Sequence, residues 1–182
     1  MQSFYSGITQ VEETPNPNAY KFYVDRRLLP LGAYQLTKNE KSGVIFLDQL
    51  ITLSYIESVY VGFDFITIQK NSEIEWYELI DTVKQLAARY LPQSDWNALI
   101  PNCNSAAEFG EISEYFTRII LPATEKDGGG IFLKNYEPST GLLEVQIRGA
   151  CQGCPYTRET LLKGILAPLY QKKIGIKSLR EV

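Results

Sequence analysis

The chain has 182 residues, of which 45% are hydrophobic and 21% charged, enough to bury a core and too apolar for a disordered polymer. A formal net charge of −3 without long runs of like charge gives no footprint for nucleic acid or an anionic membrane, so neither is expected as a partner. Histidine is absent, which excludes Ser-His-Asp and Cys-His nucleophiles, His-ligated zinc, HExxH peptidase chemistry and Rieske ligation.

In chain order, Pro15-Asn16-Pro17-Asn18 predicts a turn leading into a strand at 20–24, and 44–54 carries apolar residues at near-helical spacing. Residues 58–63 and 65–69 predict a hairpin around Gly62 and Asp64. A stronger helix is predicted over 75–90, where Trp76, Leu79, Ile80, Val83, Leu86, Ala87 and Tyr90 recur every three or four residues, and Pro92 stops it. Residues 92–107, rich in Pro, Asn and Ser, read as a linker between a first domain (1–91) and a second (108–182).

In the second half, Ile112, Tyr115, Phe116, Ile119 and Ile120 form one helical stripe predicted to end before Pro122. Asp127-Gly128-Gly129-Gly130 reads as a turn that starts a strand, since it lacks the spacing of a phosphate loop. Strands follow at 131–136 and 142–148, the second with Leu143, Val145 and Ile147 alternating with polar residues. A helix with Leu161, Leu162, Ile165, Leu166 and Leu169 comes next, then a last strand that includes Ile174 and Ile176. The expected fold class is α+β: two small α/β-sandwich-like domains joined by a linker, the second ordered helix-strand-strand-helix-strand.

Chemistry concentrates in Cys151-Gln152-Gly153-Cys154, at the junction of a strand and a helix. A Cys-x-x-Cys turn brings two sulfurs within reach of one metal centre, and Gly149 and Gly153 permit sharp backbone that can aim N–H groups at sulfur. Pro155 suits the first helical position, and the helix N-terminus is expected to lower the thiol pKa from about 8.5 toward neutrality. Arg148 and Arg158 would add positive charge if they pointed inward, and otherwise are solvated. Zinc and iron–sulfur centres commonly take four ligands, and this site offers two. A second copy of the chain, Cys103 with another group, or a dithiol redox pair are the readings left open, the symmetric dimer being the simplest route to four. Three cysteines with two only three apart are no secreted disulfide framework, so a reducing compartment, and hence a cytoplasmic protein, is expected. No apolar run approaches a membrane span, and the N-terminus lacks a leader pattern.

Asp127-Gly128-Gly129, the strand 143–148, and Gly149-Ala150-Cys151-Gln152-Gly153-Cys154-Pro155 followed by 160–165 resemble the C-terminal NifU-like domain. Residues 14–22 and 58–68 resemble the N-terminal domain that accompanies it in Nfu-type iron–sulfur scaffold proteins. The resemblance implies a non-enzymatic carrier whose Cys151 and Cys154, paired with those of a second subunit, hold a [4Fe–4S] cluster, with a [2Fe–2S] form as the variant. It implies an upstream cluster donor and apo iron–sulfur clients as partners, a homodimer when loaded, and a recognition or stabilising role for the first domain. Gly130, Leu121 and Phe63 depart from the acidic residue, arginine and proline usual at those places. Rival readings of the same thiol pair are a thiol–disulfide oxidoreductase and a structural zinc dimer.

Overall fold

A computed structural model describes residues 7–29, 33–102, 109–171 and 175–182. Strands β1 (Ile8–Glu13), β2 (Ala19–Val24), β3 (Tyr34–Thr37), β4 (Ile56–Val61) and β5 (Phe65–Lys70) form an antiparallel sheet in the order β1-β2-β5-β4-β3. Helices α1 (Ile45–Ile51) and α2 (Trp76–Tyr90) cover one face. There Phe22, Val59, Ile66 and Ile68 meet Phe46, Leu47, Leu50, Leu79 and Val83 in a core from which water is excluded. The five elements that periodicity predicts in this half are all present. The two strands that were not read, β1 and β3, lie at the sheet edges: β1 is half-exposed along its length and β3 has only four residues, so neither carries an apolar alternation long enough to show.

The stretch after α2 packs more than its composition suggests. Short 3₁₀ turns span Leu91–Gln93 and Trp96–Asn102. Leu91 and Leu99 are buried in the first core, Trp96 packs against it, and the Ser94 Oγ accepts a hydrogen bond from the Phe46 N–H at 3.1 Å. Cys103 lies outside the described residues.

The second half opens with a helical run, α3 (111–126), built from α-helical Glu111–Tyr115, a π-helical stretch Phe116–Ile120 and α-helical Leu121–Lys126. The sequence predicts an end before Pro122, but the helix continues. A wider π turn directly before the proline absorbs the ring and the missing N–H. The buried stripe accordingly runs Ile112, Phe116, Ile120, while Ile119, expected inside, is 52% exposed. Strands β6 (Gly129–Glu137) and β7 (Leu142–Gly149) pair antiparallel, and β8 (Ser178–Glu181) pairs parallel to β7. A parallel neighbour requires a crossover, which α4 (157–171) supplies. Leu143, Val145 and Ile147 are buried as their alternation predicts. Ile176 is buried just before β8, not within it, and Ile174 lies outside the described residues. The fold class is α+β, with one sheet in each half.

The sheets also turn their second faces toward each other. Lys21, Tyr60 and Thr67 sit on the face of the first sheet that no helix of that half covers, yet all three are buried. The Tyr60 ring packs with Phe65 and with Phe132 of β6, at 6.0 and 6.5 Å between centroids. The Lys21 ammonium stands 4.0 Å from the Phe65 ring centre and donates to the backbone oxygen of Glu125 in α3 at 2.8 Å. Two of the departures from the family pattern lie here. Leu121 packs with this aromatic group, and a Cβ on Gly130 would come within 2.5 Å of the Phe132 ring and 2.8 Å of the Tyr60 hydroxyl. A side chain at position 130 would require the Phe132 ring and the Tyr60 hydroxyl to shift.

Candidate metal centre

Strand β7 ends at Gly149, which has φ +63°; a Cβ there would lie 2.7 Å from the Gly128 carbonyl oxygen and 2.9 Å from the Tyr60 ring. Only glycine turns the chain at this point. The loop closes through N–H bonds from Ala150 to the Gly128 oxygen (3.1 Å), from Gln152 to the Gly149 oxygen (3.0 Å) and from Cys154 to the Cys151 oxygen (3.3 Å). The Thr157 hydroxyl also donates to the Cys151 carbonyl, tying the start of α4 to the loop. Cys151 and Cys154 are both free thiols of intermediate exposure, and both line one cavity of about 230 Å³. Pro15 from the first half, Thr124 and Asp127 from the end of α3, and Tyr156 form other walls of it.

Three expectations change. The helix begins at Thr157, so Pro155 precedes it instead of opening it, and the N–H groups of Gln152 and Cys154 donate to loop carbonyls. The Cys151 thiol is not acidified: burial, followed by the negative charge of Asp127 and the neighbouring Cys154, pushes its pKa up to about 12. Desolvation outweighs the helix terminus, which starts six residues away. Arg148 does not serve the thiols, since its guanidinium donates to the Gln146 side chain at 2.7 and 3.1 Å and lies 5.4 Å from the Phe132 ring centre. The side chain of Arg158 lies outside what is described.

Three residues at the site escaped the sequence reading. A Cβ on Gly129 would sit 2.7 Å from the Cys151 sulfur, so the glycine that opens β6 makes room for the thiol. Asn16 and Gln35 reach the loop from the first domain. The Asn16 Nδ2 donates to the carbonyls of Ala150 (3.2 Å) and Gln152 (2.9 Å). The Gln35 Oε1 accepts from the Gly149 N–H at 2.8 Å. Among the described residues the first half has no metal-ligand cluster of its own, and two of its side chains bond the backbone of this loop. The only signal of Asn16 in the sequence is the turn pattern Pro-Asn-Pro-Asn, which says nothing of a partner 136 residues away.

Both halves of the chain match known families. The family described as "Scaffold protein Nfu/NifU N terminal" matches residues 8–103, and that described as "NifU-like domain" matches 112–178. The chain belongs to the Nfu/NifU-like family. It is 28% identical over 181 residues to a NifU-like protein of Schizosaccharomyces pombe, covering 91% of this chain and 68% of the relative. It is also 28% identical over 171 residues to the human "NFU1 iron-sulfur cluster scaffold homolog, mitochondrial", covering 86% and 64%. The chain thus spans about two thirds of the length of these relatives. The solution structure of a NifU-like protein from Saccharomyces cerevisiae overlaps 51% of this chain and 85% of its own at 24% identity, with a TM-score of 0.42.

Proposed function

We propose that this Nfu/NifU-like chain is an iron–sulfur cluster carrier in which Cys151 and Cys154 of two copies together hold a [4Fe–4S] cluster and release it to apo-proteins. The cluster is cargo, received from an upstream donor and passed on, and the chain is not a catalyst. The observation that carries the reading is the convergence of two free thiols on one cavity, where no other group in its lining provides a soft ligand. Among the described residues no set of three or more Cys, Asp or Glu side chains could hold a metal ion within one chain. Two thiols per copy fall short of the four that iron–sulfur clusters commonly take, and a symmetric pair of loops makes up the number. A [2Fe–2S] form would use the same four sulfurs.

The division into domains 1–91 and 108–182 joined by 92–107 belongs to this proposal, with the first part of the joining segment seated on the first core. No helix among the described residues is long and apolar enough to cross a membrane. The thiol usage asks for reducing surroundings, a condition met in the cytoplasm and in the mitochondrial compartment that the human relative's name gives. The oxidoreductase reading needs an acidic, exposed attacking thiol, and Cys151 is only partly exposed, its pKa pushed up to about 12.

Anaerobic reconstitution with iron and sulfide tests the proposal. Visible cluster absorption with about four irons per two chains is expected. Zinc alone after anaerobic purification, or insulin reduction coupled to a thiol reductant, would replace it with one of the rivals.

A further inference from the structure

Asn16 uses every polar atom of its side chain, and only one of its jobs is local. The side chain is 2% exposed. Its Oδ1 accepts from the Asn18 N–H at 3.0 Å, which shapes the turn. Thr14 braces the same turn: its hydroxyl donates to the Ala19 carbonyl at 2.7 Å and accepts from the Asn16 N–H at 3.2 Å. The Trp76 indole N–H pins the far side through the Pro17 carbonyl at 2.9 Å, with its ring stacked on Tyr20 at 4.0 Å. A turn held this firmly leaves the two Nδ2 hydrogens a single direction. They go to the carbonyls of Ala150 and Gln152, the residues on either side of Cys151. Gln35 extends the grip, accepting from the Gly149 N–H and donating from Nε2 to the Gln152 side chain at 3.1 Å.

We propose that Asn16 is a positioning residue for the thiol loop: by bridging the carbonyls of Ala150 and Gln152 it holds Cys151 in its cavity for as long as the first domain stays docked. The proposal rests on the reading of Cys151 and Cys154 as the cluster ligands. The role demands a primary amide, because it needs two donors and one acceptor at a single side chain. The docked state that Asn16 maintains carries an opposing cost. The Tyr60 hydroxyl and the Thr67 Oγ1 are buried at the same interface and close no hydrogen bond. Loss of the Asn16 bonds therefore loosens the loop, leaving it tied to the first half through the Gln35 bonds to Gly149 and Gln152.

The test uses the full-length, cluster-free protein with Asn16→Ala and Asn16→Asp. Aspartate keeps the acceptor for the Asn18 N–H and so preserves the turn, but it has no hydrogen to donate and sets a carboxylate against two carbonyls. Amide hydrogen exchange over 149–154 and the rate of Cys151 alkylation, localised by fragment-ion mass spectrometry, are the readouts. Both variants should accelerate both processes by roughly 5- to 150-fold, the range that two hydrogen bonds of ordinary net strength give. Wild-type behaviour in Asn16→Asp with an effect only in Asn16→Ala would assign the residue to its own turn and overturn the proposal, as would two silent variants. If neither variant folds, the wild-type protein still decides: the Asn16 side-chain amide protons should be protected and close to the Cys151 N–H by NMR, and free exchange of those protons refutes the bridge. None of these readouts involves iron. A wild-type protein that takes up no cluster would sink the carrier reading and leave the Asn16 outcome standing; normal loading with an unchanged loop would sink the role of Asn16 alone.

Discussion

Gly129 and Cys151 occupy the same small space: a Cβ on the glycine would lie 2.7 Å from the thiol sulfur and 2.6 Å from the backbone nitrogen of the cysteine. The first residue of β6 thus packs directly against the thiol loop. Gly129→Ala should push the loop out of place, lower stability by about 1–3 kcal/mol as an overpacked core site does, and reduce cluster loading. Chemical denaturation with iron counting checks both; a variant that loads normally would show that the loop gives way cheaply.

Cluster loading is expected to follow symmetry. In the proposed shared site each copy contributes the same two sulfurs, so Cys151→Ser or Cys154→Ser would remove two of four ligands at once and should abolish stable loading instead of halving it. Sedimentation of the wild-type protein should show dimers appearing with the cluster, more completely at higher protein concentration. A monomer that carries four irons, or a Cys154→Ser protein that keeps its cluster, contradicts the shared site.

The pH dependence of the cluster-free thiols gives a separate measurement. Burial beside Asp127 and Cys154 raises the Cys151 pKa from 9.0 to about 12, so the folded chain favours the neutral thiol. That preference adds stability below pH 9 and is lost as pH rises from there toward 12. Alkylation of Cys151 should be slow at neutral pH and still climbing above pH 10. A rate that levels off near pH 7 would indicate the acidic thiol of an oxidoreductase.

Tyr60 carries a hydroxyl that faces the Glu125 carboxyl in the domain interface without closing a hydrogen bond of ordinary geometry. Burial drives its pKa well above the usual 10. Tyr60→Phe keeps the ring contacts with Phe65 and Phe132 and removes an unsatisfied polar atom, so stability should hold or rise by about 1 kcal/mol. A loss of more than that in thermal or denaturant unfolding would mean that the hydroxyl has a partner in solution.

Much of this was legible without coordinates. The helix over Trp76–Tyr90, the β4–β5 hairpin and the alternation of Leu143, Val145 and Ile147 follow from local periodicity, because a buried face imposes its own spacing on the chain that makes it. The thiol pair was visible for the same reason: its members are three residues apart, and the backbone that joins them is short. The edge strands β1 and β3 and the passage of α3 through Pro122 were not visible, since half-exposed strands lack a pattern and a π turn leaves no mark in composition.

From the sequence alone came the α+β class, the absence of histidine chemistry and the position of Cys151 and Cys154, all properties of single residues or of neighbours along the chain. Only the tertiary structure decided the surroundings of those thiols. Whether a cysteine at a loop is acidic or neutral depends on its burial and on the charges beside it, and here the fold supplies both, burial first and then Asp127 and Cys154. Whether Asn16 merely shapes a turn or also holds the loop depends on a contact that spans 136 residues, and no local spacing encodes which distant carbonyl a buried amide will meet.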